Sequence, residues 1–331
     1  MSRPLDAATP AAPGASHVIE ARGLVKRYGT LTALDGVSFE VQQGEIFGIL
    51  GPNGAGKTTL VEILEGLNEP TAGDASVLGI DVVRDPVAVK RRIGVQLQAS
   101  SYHQFLTLRE ILELFGSFYP RRAEPLELLR RVRLEDRANS RIKTLSGGMQ
   151  QRFSVVAALV NEPELVFFDE PTAGLDPDAR RDLWRIVRDV RDSGTTVVLT
   201  THYMEEAEEL CDRVAIMNAG QIVALDTPRR LVRGLQAPYR VTVTTDRPLD
   251  GVEGFDEVAR EESVDGYVLR MEATEAAAAV AAVTAAAERA DARIVDLGVE
   301  PATLEDVFLS VTGRALHDAG ANRQGAPVEA R

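Results

Sequence analysis

Apolar and polar positions along the chain change between two periods, one typical of strands and one typical of helices. Residues 37–41 alternate with a period of two, which predicts a half-exposed strand followed by a turn at 42–44. Residues 165–168 are continuously apolar, as in a central parallel strand. From Leu108 to Phe115 the apolar residues instead follow helical spacing. Because strands and helices of this kind follow one another, the pattern predicts an α/β fold.

The same criteria place the other elements of the first two thirds of the chain. They predict strands at 45–50, 75–80, 93–97 and 195–201, a turn at 68–74, a hairpin of 214–217 with 221–224, and helices at 153–160, 179–190 and 204–210. The segment from 99 to about 143 differs, because it combines helical spacing with five aromatic residues: Tyr102, Phe105, Phe115, Phe118 and Tyr119. They belong either to the core of a small helical subdomain or to a docking surface, and the core is favoured for most of them.

The pattern changes again near residue 237. Strands are predicted at 239–245, 267–271 and 293–299, and helices at 273–289 and 301–311. These elements form a small, separate α+β domain without a cluster of His, Cys or paired carboxylates that would indicate catalysis. Residues 1–16 and 314–331 lack an apolar centre and are predicted to be disordered tails.

Charge and composition exclude several classes of function. Among the 331 residues, 50 acidic side chains exceed 37 basic ones, which gives a net charge of -13. This balance argues against nucleic-acid binding and against direct adhesion to an anionic membrane. A single cysteine, Cys211, excludes an internal disulfide, and no apolar run approaches the roughly 18 residues of a membrane span. We therefore expect a cytosolic protein that reaches a membrane only through a protein partner.

The most informative stretch is a glycine-rich turn at residues 51–59, Gly-Pro-Asn-Gly-Ala-Gly-Lys-Thr-Thr, which fits the phosphate-loop pattern at every fixed position. An apolar run precedes it and a helix start follows, which is the context that the motif requires. Small residues let backbone N–H groups converge on phosphate oxygens, and the helix N-terminus adds partial positive charge. Lys57 supplies a full charge for the outer phosphates, and the Thr58 hydroxyl is suited to hold Mg2+.

Five other positions carry candidate chemistry. Ser146 is a predicted N-cap of a helix that opens with Gly147 and Gly148, a second potential anion site. The carboxylates of Asp169 and Glu170 follow the buried strand at 165–168, at the edge where α/β folds place ligand chemistry. His202 ends the predicted strand at 195–201, and Asp176 lies in a predicted loop. Tyr28 precedes a turn, where a ring can stack on a base, although local packing is the commoner role of such an aromatic residue.

Together these residues resemble the nucleotide-binding subunit of an ATP-binding-cassette (ABC) transporter. The resemblance covers about residues 18–235, and its most specific part is the signature sequence at 145–152, Leu-Ser-Gly-Gly-Met-Gln-Gln-Arg. It implies a P-loop NTPase core with an antiparallel β subdomain and a helical subdomain at about 99–160. The implied domain limits are a tail at 1–17, the ATP-binding domain at 18–235, an accessory α+β domain at 236–313 and a tail at 314–331.

The resemblance assigns a role to each candidate residue. The phosphate-binding Walker A loop comprises Gly51, Pro52, Asn53, Gly54, Ala55, Gly56, Lys57, Thr58 and Thr59. Tyr28 is the adenine-stacking aromatic, Asp169 reaches Mg2+ with Thr58, Glu170 is the general base, and His202 contacts the γ-phosphate. Gln98 aligns with the glutamine that joins Mg2+ and senses the membrane partner, with Gln96 as the alternative. ATP and Mg2+ are therefore the implied ligands.

Such subunits act in pairs, which the resemblance extends to this chain. Ser146, Gly147 and Gly148 of one chain close over ATP held by the other, and Asp176 lies in the loop that communicates across the dimer. A separate membrane permease completes the assembly at the inner face of the membrane. Residues 304–309 and the sequence 201–208 resemble the daunorubicin/doxorubicin-resistance type, whose members export drugs, lipids or polysaccharides. An importer subunit and a soluble cassette protein without a transport role are the alternatives.

Overall fold

The computed structural model describes residues 17–96, 102–249, 252, 254–255, 257–263 and 266–312. Contacts divide the chain into two compact units, and the division falls between Pro228 and Arg229. It lies a few residues before the predicted boundary at 235, and the domain limits stay a prediction. Within the described residues, no helix combines the length and the apolar character that a membrane crossing requires.

The first unit contains two β-sheets built from ten strands. They are β1 (His17–Tyr28), β2 (Leu31–Gln42), β3 (Ile46–Leu50), β4 (Ala72–Val77), β5 (Ile80–Asp81), β6 (Ile93–Gln96), β7 (Leu165–Asp169), β8 (Thr196–Thr201), β9 (Arg213–Asn218) and β10 (Gln221–Asp226). One sheet is antiparallel with the order β2-β1-β4-β5. The other has the order β10-β9-β3-β8-β7-β6, and all its neighbours are parallel except β9 and β10. The carboxyl ends of five strands therefore lie at one edge.

Helices connect and cover these sheets. They are α1 (Lys57–Leu64), α2 (Pro86–Arg92), α3 (Leu108–Gly116), α4 (Pro125–Arg131), α5 (Gly147–Ala157), α6 (Pro177–Asp192) and α7 (Met204–Leu210), with short 3-10 turns at Glu135–Arg137 and Ile142–Thr144. The next helix, α8 (Pro228–Arg233), begins at the division and lies almost entirely in the second unit. The core shared by the two sheets and α1 includes Phe39 and Phe47, whose rings stack with centroids 5.4 Å apart. This core anchors β3 and α1, the two elements that flank the phosphate loop.

Two features of the first unit differ from the sequence prediction. Strand β4 begins at Ala72, inside the predicted turn at 68–74. Gly73 belongs to this strand because β1 passes very close to it: a Cβ there would lie 2.3 Å from the carbonyl oxygen of Gly23. The aromatic residues of the helical segment also divide. Tyr102 packs against Phe115 and Phe153, whereas the side chains of two others, Phe105 and Phe118, are exposed.

The second unit is an antiparallel sheet with helices. Its elements are β11 (Tyr239–Thr245), β12 (Glu257–Ser263), β13 (Gly266–Ala273), α9 (Ala276–Arg289), β14 (Ile294–Pro301) and α10 (Leu304–Thr312), and the strand order is β12-β13-β11-β14. Helix α9 buries small residues such as Ala279 and Val283 in a core with Val241 and Val243 of β11. The sequence analysis missed β12, because its largely charged sequence lacks the apolar alternation of a strand. It pairs only with β13, at the edge of the sheet.

Candidate functional site

The phosphate loop connects fully buried β3 to α1 and leaves no room for larger residues at two glycines. A Cβ on Gly51 would lie 2.4 Å from the carbonyl oxygen of Met217. A Cβ on Gly56 would lie 2.5 Å from the carbonyl oxygen of Ala33, and the Gly56 φ angle of 105° is left-handed. Helix α1 begins at the next residue without a side-chain N-cap. Its first N–H groups are therefore available to an anion.

The turn between β9 and β10 supports this loop from behind. The N–H of Gly220 donates to the carbonyl oxygen of Ala55 over 2.9 Å, and the carbonyl oxygen of Gly220 accepts from the N–H of Asp35 over 2.9 Å. Within the loop, the N–H of Ala55 donates to the carbonyl oxygen of Pro52. The loop is thus joined directly to the turn between β9 and β10, and that turn is joined in the same way to β2.

Lys57 is the buried cation of the loop. Its Nζ donates to the carbonyl oxygens of Gly51 at 2.7 Å and Pro52 at 3.3 Å, and lies 3.8 Å from Glu170 Oε1. Burial lowers the pKa of Lys57, while the negative charges of Glu170 and Asp169 raise it. The ammonium group is thus held over the loop between backbone carbonyls and a carboxylate.

The two carboxylates at the end of β7 occupy different environments. Burial raises the pKa of Asp169, and the hydrogen bond that its Oδ1 accepts from the Thr200 hydroxyl lowers it. Glu170 has a left-handed φ of 47°, which is unusual for a residue other than glycine. Its N–H donates to Thr200, at 3.2 Å to the carbonyl oxygen and 3.0 Å to the hydroxyl oxygen. Thr200, which the sequence analysis did not single out, therefore orients both residues.

Glu170 brings together residues from the ends of three neighbouring strands. Its Oε1 lies 3.2 Å from His202 Nδ1 and 3.8 Å from Lys57 Nζ. The Glu170 side chain is only 11% exposed, whereas that of His202 is 31% exposed. We call Lys57, Asp169, Glu170 and His202 the central cluster. The sequence analysis placed Asp169 and Glu170 at the end of one buried strand and His202 at the end of another, and the parallel pairing of β7 with β8 brings these strand ends together.

The other predicted residues lie outside the central cluster. Tyr28 ends β1 at a hairpin, where its ring is half-exposed and its hydroxyl accepts a hydrogen bond from Asn68 Nδ2. Lys26 Nζ lies 5.0 Å from the centroid of that ring. Thr58 is exposed in the first turn of α1, and Gln96 is buried at the end of β6. Gln98 lies outside the described residues.

Two exposed helix starts contain the remaining candidates. Ser146 caps α5 by accepting a hydrogen bond from the N–H of Met149, and Asp176 caps α6 by accepting one from the N–H of Ala179 at 2.9 Å. A Cβ on Gly147 would meet nothing within 4 Å, and one on Gly148 would meet only the Ala179 methyl group at 3.7 Å. Within the described part of the chain, their side chains form no hydrogen bond or ion pair with the central cluster.

The sequence analysis missed two buried carboxylates near the cluster. Glu65, at the end of α1, is 3% exposed, and burial, with Asp169 and Glu62 nearby, raises its pKa to about 8. Glu206 of α7 is completely buried. A signal for Glu206 was present, because it shares a helical face with the apolar residues Ala207 and Leu210. The sequence analysis predicted a helix at 204–210 without distinguishing its buried face from its exposed face.

Comparison with known sequences identifies a family and several relatives. The profile of the family described as ABC transporter matches residues 34–173. The chain is 38% identical over 315 residues to the daunorubicin resistance ATP-binding protein DrrA3 of Streptomyces coeruleorubidus, which covers 90% of this chain and 97% of that protein. It is 37% identical over 305 residues to the Nod factor export ATP-binding protein I of Paraburkholderia xenovorans, covering 91% of this chain and 98% of that protein.

Comparison with solved structures identifies the same family. A structure described as the ATP binding subunit of an ABC transporter superimposes with a TM-score of 0.59 at 32% identity, and covers 65% of this chain and 92% of that chain. The dimeric structure of a post-hydrolysis state of the ATP-binding cassette MJ0796, bound to ADP and Pi, superimposes with a TM-score of 0.58 at 28% identity. It covers 63% of this chain and 98% of that chain.

Proposed function

Because this chain belongs to the ATP-binding subunits of ABC transporters, we propose that it is an exporter motor whose two copies enclose two ATP molecules. The family assignment makes it an ATPase with a P-loop NTPase core. One observation carries the proposal: Glu170 Oε1 lies between the Lys57 ammonium and the His202 imidazole, beside a phosphate loop with a free helix start.

The central cluster is suited to phosphoryl transfer to water. Lys57 and the N–H groups of the loop bind the phosphates, with the other Walker A residues forming the cradle. Glu170 accepts a proton from the attacking water, since its carboxylate is the group that His202 and Lys57 both approach. His202 binds the γ-phosphate and holds Glu170 in place. Exclusion of bulk water strengthens each of these interactions.

The residues present also fit a magnesium ion. The Thr58 hydroxyl and the Asp169 carboxylate are oxygen ligands of the type that Mg2+ prefers, with Gln98 as the third candidate. Among the described residues no cluster of three or more His, Cys, Asp or Glu side chains could bind a metal. Mg2+ takes few protein ligands and completes its shell with phosphates and water. When bound, the ion neutralises phosphate charge, while Thr200 holds the Asp169 carboxylate in place.

The second copy supplies what the first lacks. Ser146, Gly147 and Gly148 form an exposed helix start without contact to their own central cluster, so they can donate to ATP held by a partner. Asp176 begins the adjacent helix and contacts the partner at the same interface. Tyr28, at the edge of the site, stacks on adenine.

A complementation experiment tests the shared site. Lys57→Met removes the phosphate-binding cation, and Gly148→Asp blocks the signature with a negative charge. Because a Cβ on Gly148 makes only an ordinary contact, this variant is expected to fold. In a mixed dimer, one site combines the intact halves of the two inactive chains. An equimolar mixture should therefore recover about a quarter of the wild-type ATPase rate, given random pairing and independent sites. A rate equal to the sum of the separate variants would contradict a site shared between chains.

The export role rests on the printed functions of the relatives, a daunorubicin resistance protein and a Nod factor export protein. We propose that the chain drives export of a drug, lipid or polysaccharide through a separate permease, and that this permease holds it at the inner face of the membrane. The unit from about 236 to 313 is an accessory domain in this proposal. ATPase activity should rise when the chain is reconstituted with its permease in lipid and rise again with one transported compound. An unchanged rate in both steps would contradict the export role.

A further inference from the structure

One glutamate of helix α7 is buried, unlike the other glutamates of the same helix. Glu205, Glu208 and Glu209 are exposed, as expected for charged residues. Glu206 is completely buried, and its Oε1 accepts a hydrogen bond from Trp184 Nε1 at 3.2 Å. A buried carboxylate is destabilising unless polar groups surround it. The groups around Glu206 therefore indicate the role of this side chain.

Two threonines lie beside this carboxylate: Thr201 at the end of β8 and Thr172 in the loop after β7. Burial raises the pKa of Glu206, while the hydroxyls of Thr201 and Thr172 lower it by hydrogen bonding, together with Trp184 and the charge of Arg180. The Thr201 hydroxyl already accepts the N–H of Tyr203 at 2.9 Å, so its own hydrogen is directed to another acceptor. Thr172 and Thr201 are both fully buried. We call Thr172, Trp184, Thr201 and Glu206 the Glu206 cluster.

The contact with Thr172 is close but incomplete. Thr172 Oγ1 and Glu206 Oε2 are buried, and neither forms a well-aligned hydrogen bond with another group of the described residues. The two groups nevertheless lie near enough for the hydroxyl to lower the pKa of the carboxyl group.

The two segments that contain these threonines also contain the residues of the proposed reaction. Thr201 immediately precedes His202, and Thr172 follows Glu170 by two positions in the loop that ends at Asp176. We propose that Glu206 is a positioning residue for ATP hydrolysis. It links the end of β8 to the loop after β7 and thereby holds His202 Nδ1 against Glu170 Oε1. This inference rests on the proposed function, because it assumes that Glu170 and His202 act on ATP.

The substitution Glu206→Gln tests this role. The glutamine carbonyl can still accept from Trp184, but its NH2 group cannot accept the hydroxyl hydrogen of Thr201 or Thr172. We expect kcat to fall roughly 10-fold or more with little change in KM for ATP, since a small displacement of catalytic groups has effects of this size. The matched control is Glu209→Gln, which removes an exposed ion pair with Arg188 that also joins α6 to α7. Its kcat should equal that of the wild type.

A double-mutant cycle separates positioning from general stabilisation. If Glu206 acts through His202, then Glu206→Gln should change the single-turnover rate of His202→Ala by less than about 2-fold. Losses that multiply in the double variant would overturn the inference, and so would a Glu206→Gln enzyme with wild-type kcat. Should Glu206→Gln unfold, the near-isosteric Thr172→Val variant removes one link, and the same coupling to His202→Ala is expected. Absence of ATPase activity in the wild type and in Glu209→Gln would instead contradict the proposed function itself.

Discussion

Replacing Glu170 by glutamine is the most direct test of the central cluster. Gln preserves the shape of a side chain that is only 11% exposed, but it cannot accept a proton from water at neutral pH. Lys57 keeps its hydrogen bonds to the carbonyl oxygens of Gly51 and Pro52, so the phosphate-binding cation remains in place. The change is therefore confined to the base.

The size of the effect follows from the role. Loss of a positioned general base lowers a rate by about 10²–10⁴-fold. We expect turnover by Glu170→Gln to fall by at least ~100-fold, which corresponds to about 2.7 kcal/mol of activation free energy. ATP affinity should be kept or increased, because removal of a carboxylate 3.8 Å from Lys57 lessens repulsion of the phosphates.

The assay compares phosphate release with ATP binding in the same preparation, and the molecular mass in the presence of ATP reports dimer formation. Glu164→Gln is a matched control, since Glu164 precedes the opposite end of the same strand and pairs with Arg92 at the surface. An exposed pair of this kind contributes about 0–1 kcal/mol, so turnover should be unaffected. Near-normal turnover by Glu170→Gln, with Glu164→Gln also active, would refute the base role.

Three further predictions concern the phosphate loop, Tyr28 and Glu65. Gly56→Ala should abolish ATP binding, because its Cβ would lie 2.5 Å from the Ala33 carbonyl oxygen at a left-handed φ. Gly298→Ala, whose Cβ would meet nothing closer than 4.0 Å, should bind ATP normally, and equal binding by both variants would contradict a rigid loop. Tyr28→Ala should raise KM for ATP by roughly 5-fold or more, whereas Tyr28→Phe should leave it unchanged, since stacking needs only the ring. If Tyr28→Phe raised KM as much as Tyr28→Ala, the contribution to ATP binding would come from the hydroxyl and not from stacking. Burial raises the folded-state pKa of Glu65 to about 8 from its ordinary value of 4.5, so the native state binds the extra proton and wild-type stability should decline as the pH rises from about 4.5 to 8. In urea titrations Glu65→Gln should lack this decline, and parallel pH profiles of the two proteins would contradict it.

The sequence predicted the elements around the central cluster well, because strong local signals coincide there. Glycines at fixed positions, the buried strand β7 and the N-cap Ser146 each have one favourable structure, and the structure confirms them. The resemblance implied that Lys57, Glu170 and His202 act at one site, and the parallel order of β3, β8 and β7 brings the ends of these strands to one edge. The 3.8 Å and 3.2 Å distances within the cluster could not be predicted, since they depend on side-chain packing.

Features that depend on tertiary contacts were harder to predict. Strand β12 contains mostly charged residues, and only its pairing with β13 makes it a strand. Gly73 resembled part of a turn, although the close approach of β1 explains it. Glu206 was hidden among exposed acidic residues, because composition does not show which face of a helix is buried. For Gly73 and Glu206 the decisive contact lies far away along the chain, whereas β12 depends on the neighbouring strand of its own hairpin.

The environment of Cys211 has a practical consequence for measuring assembly. The thiol is buried against β3, where a Cβ on Gly48 would lie 2.7 Å from Sγ, and burial raises the pKa of Cys211 well above its ordinary value. Labelling reagents react with exposed thiolates, so this single cysteine is expected to be inert in the folded protein. Asn53→Cys and Ser146→Cys can then be introduced without first replacing Cys211. Disulfide cross-linking between chains would thereby record, at the resolution of single residues, which surfaces meet when ATP is added.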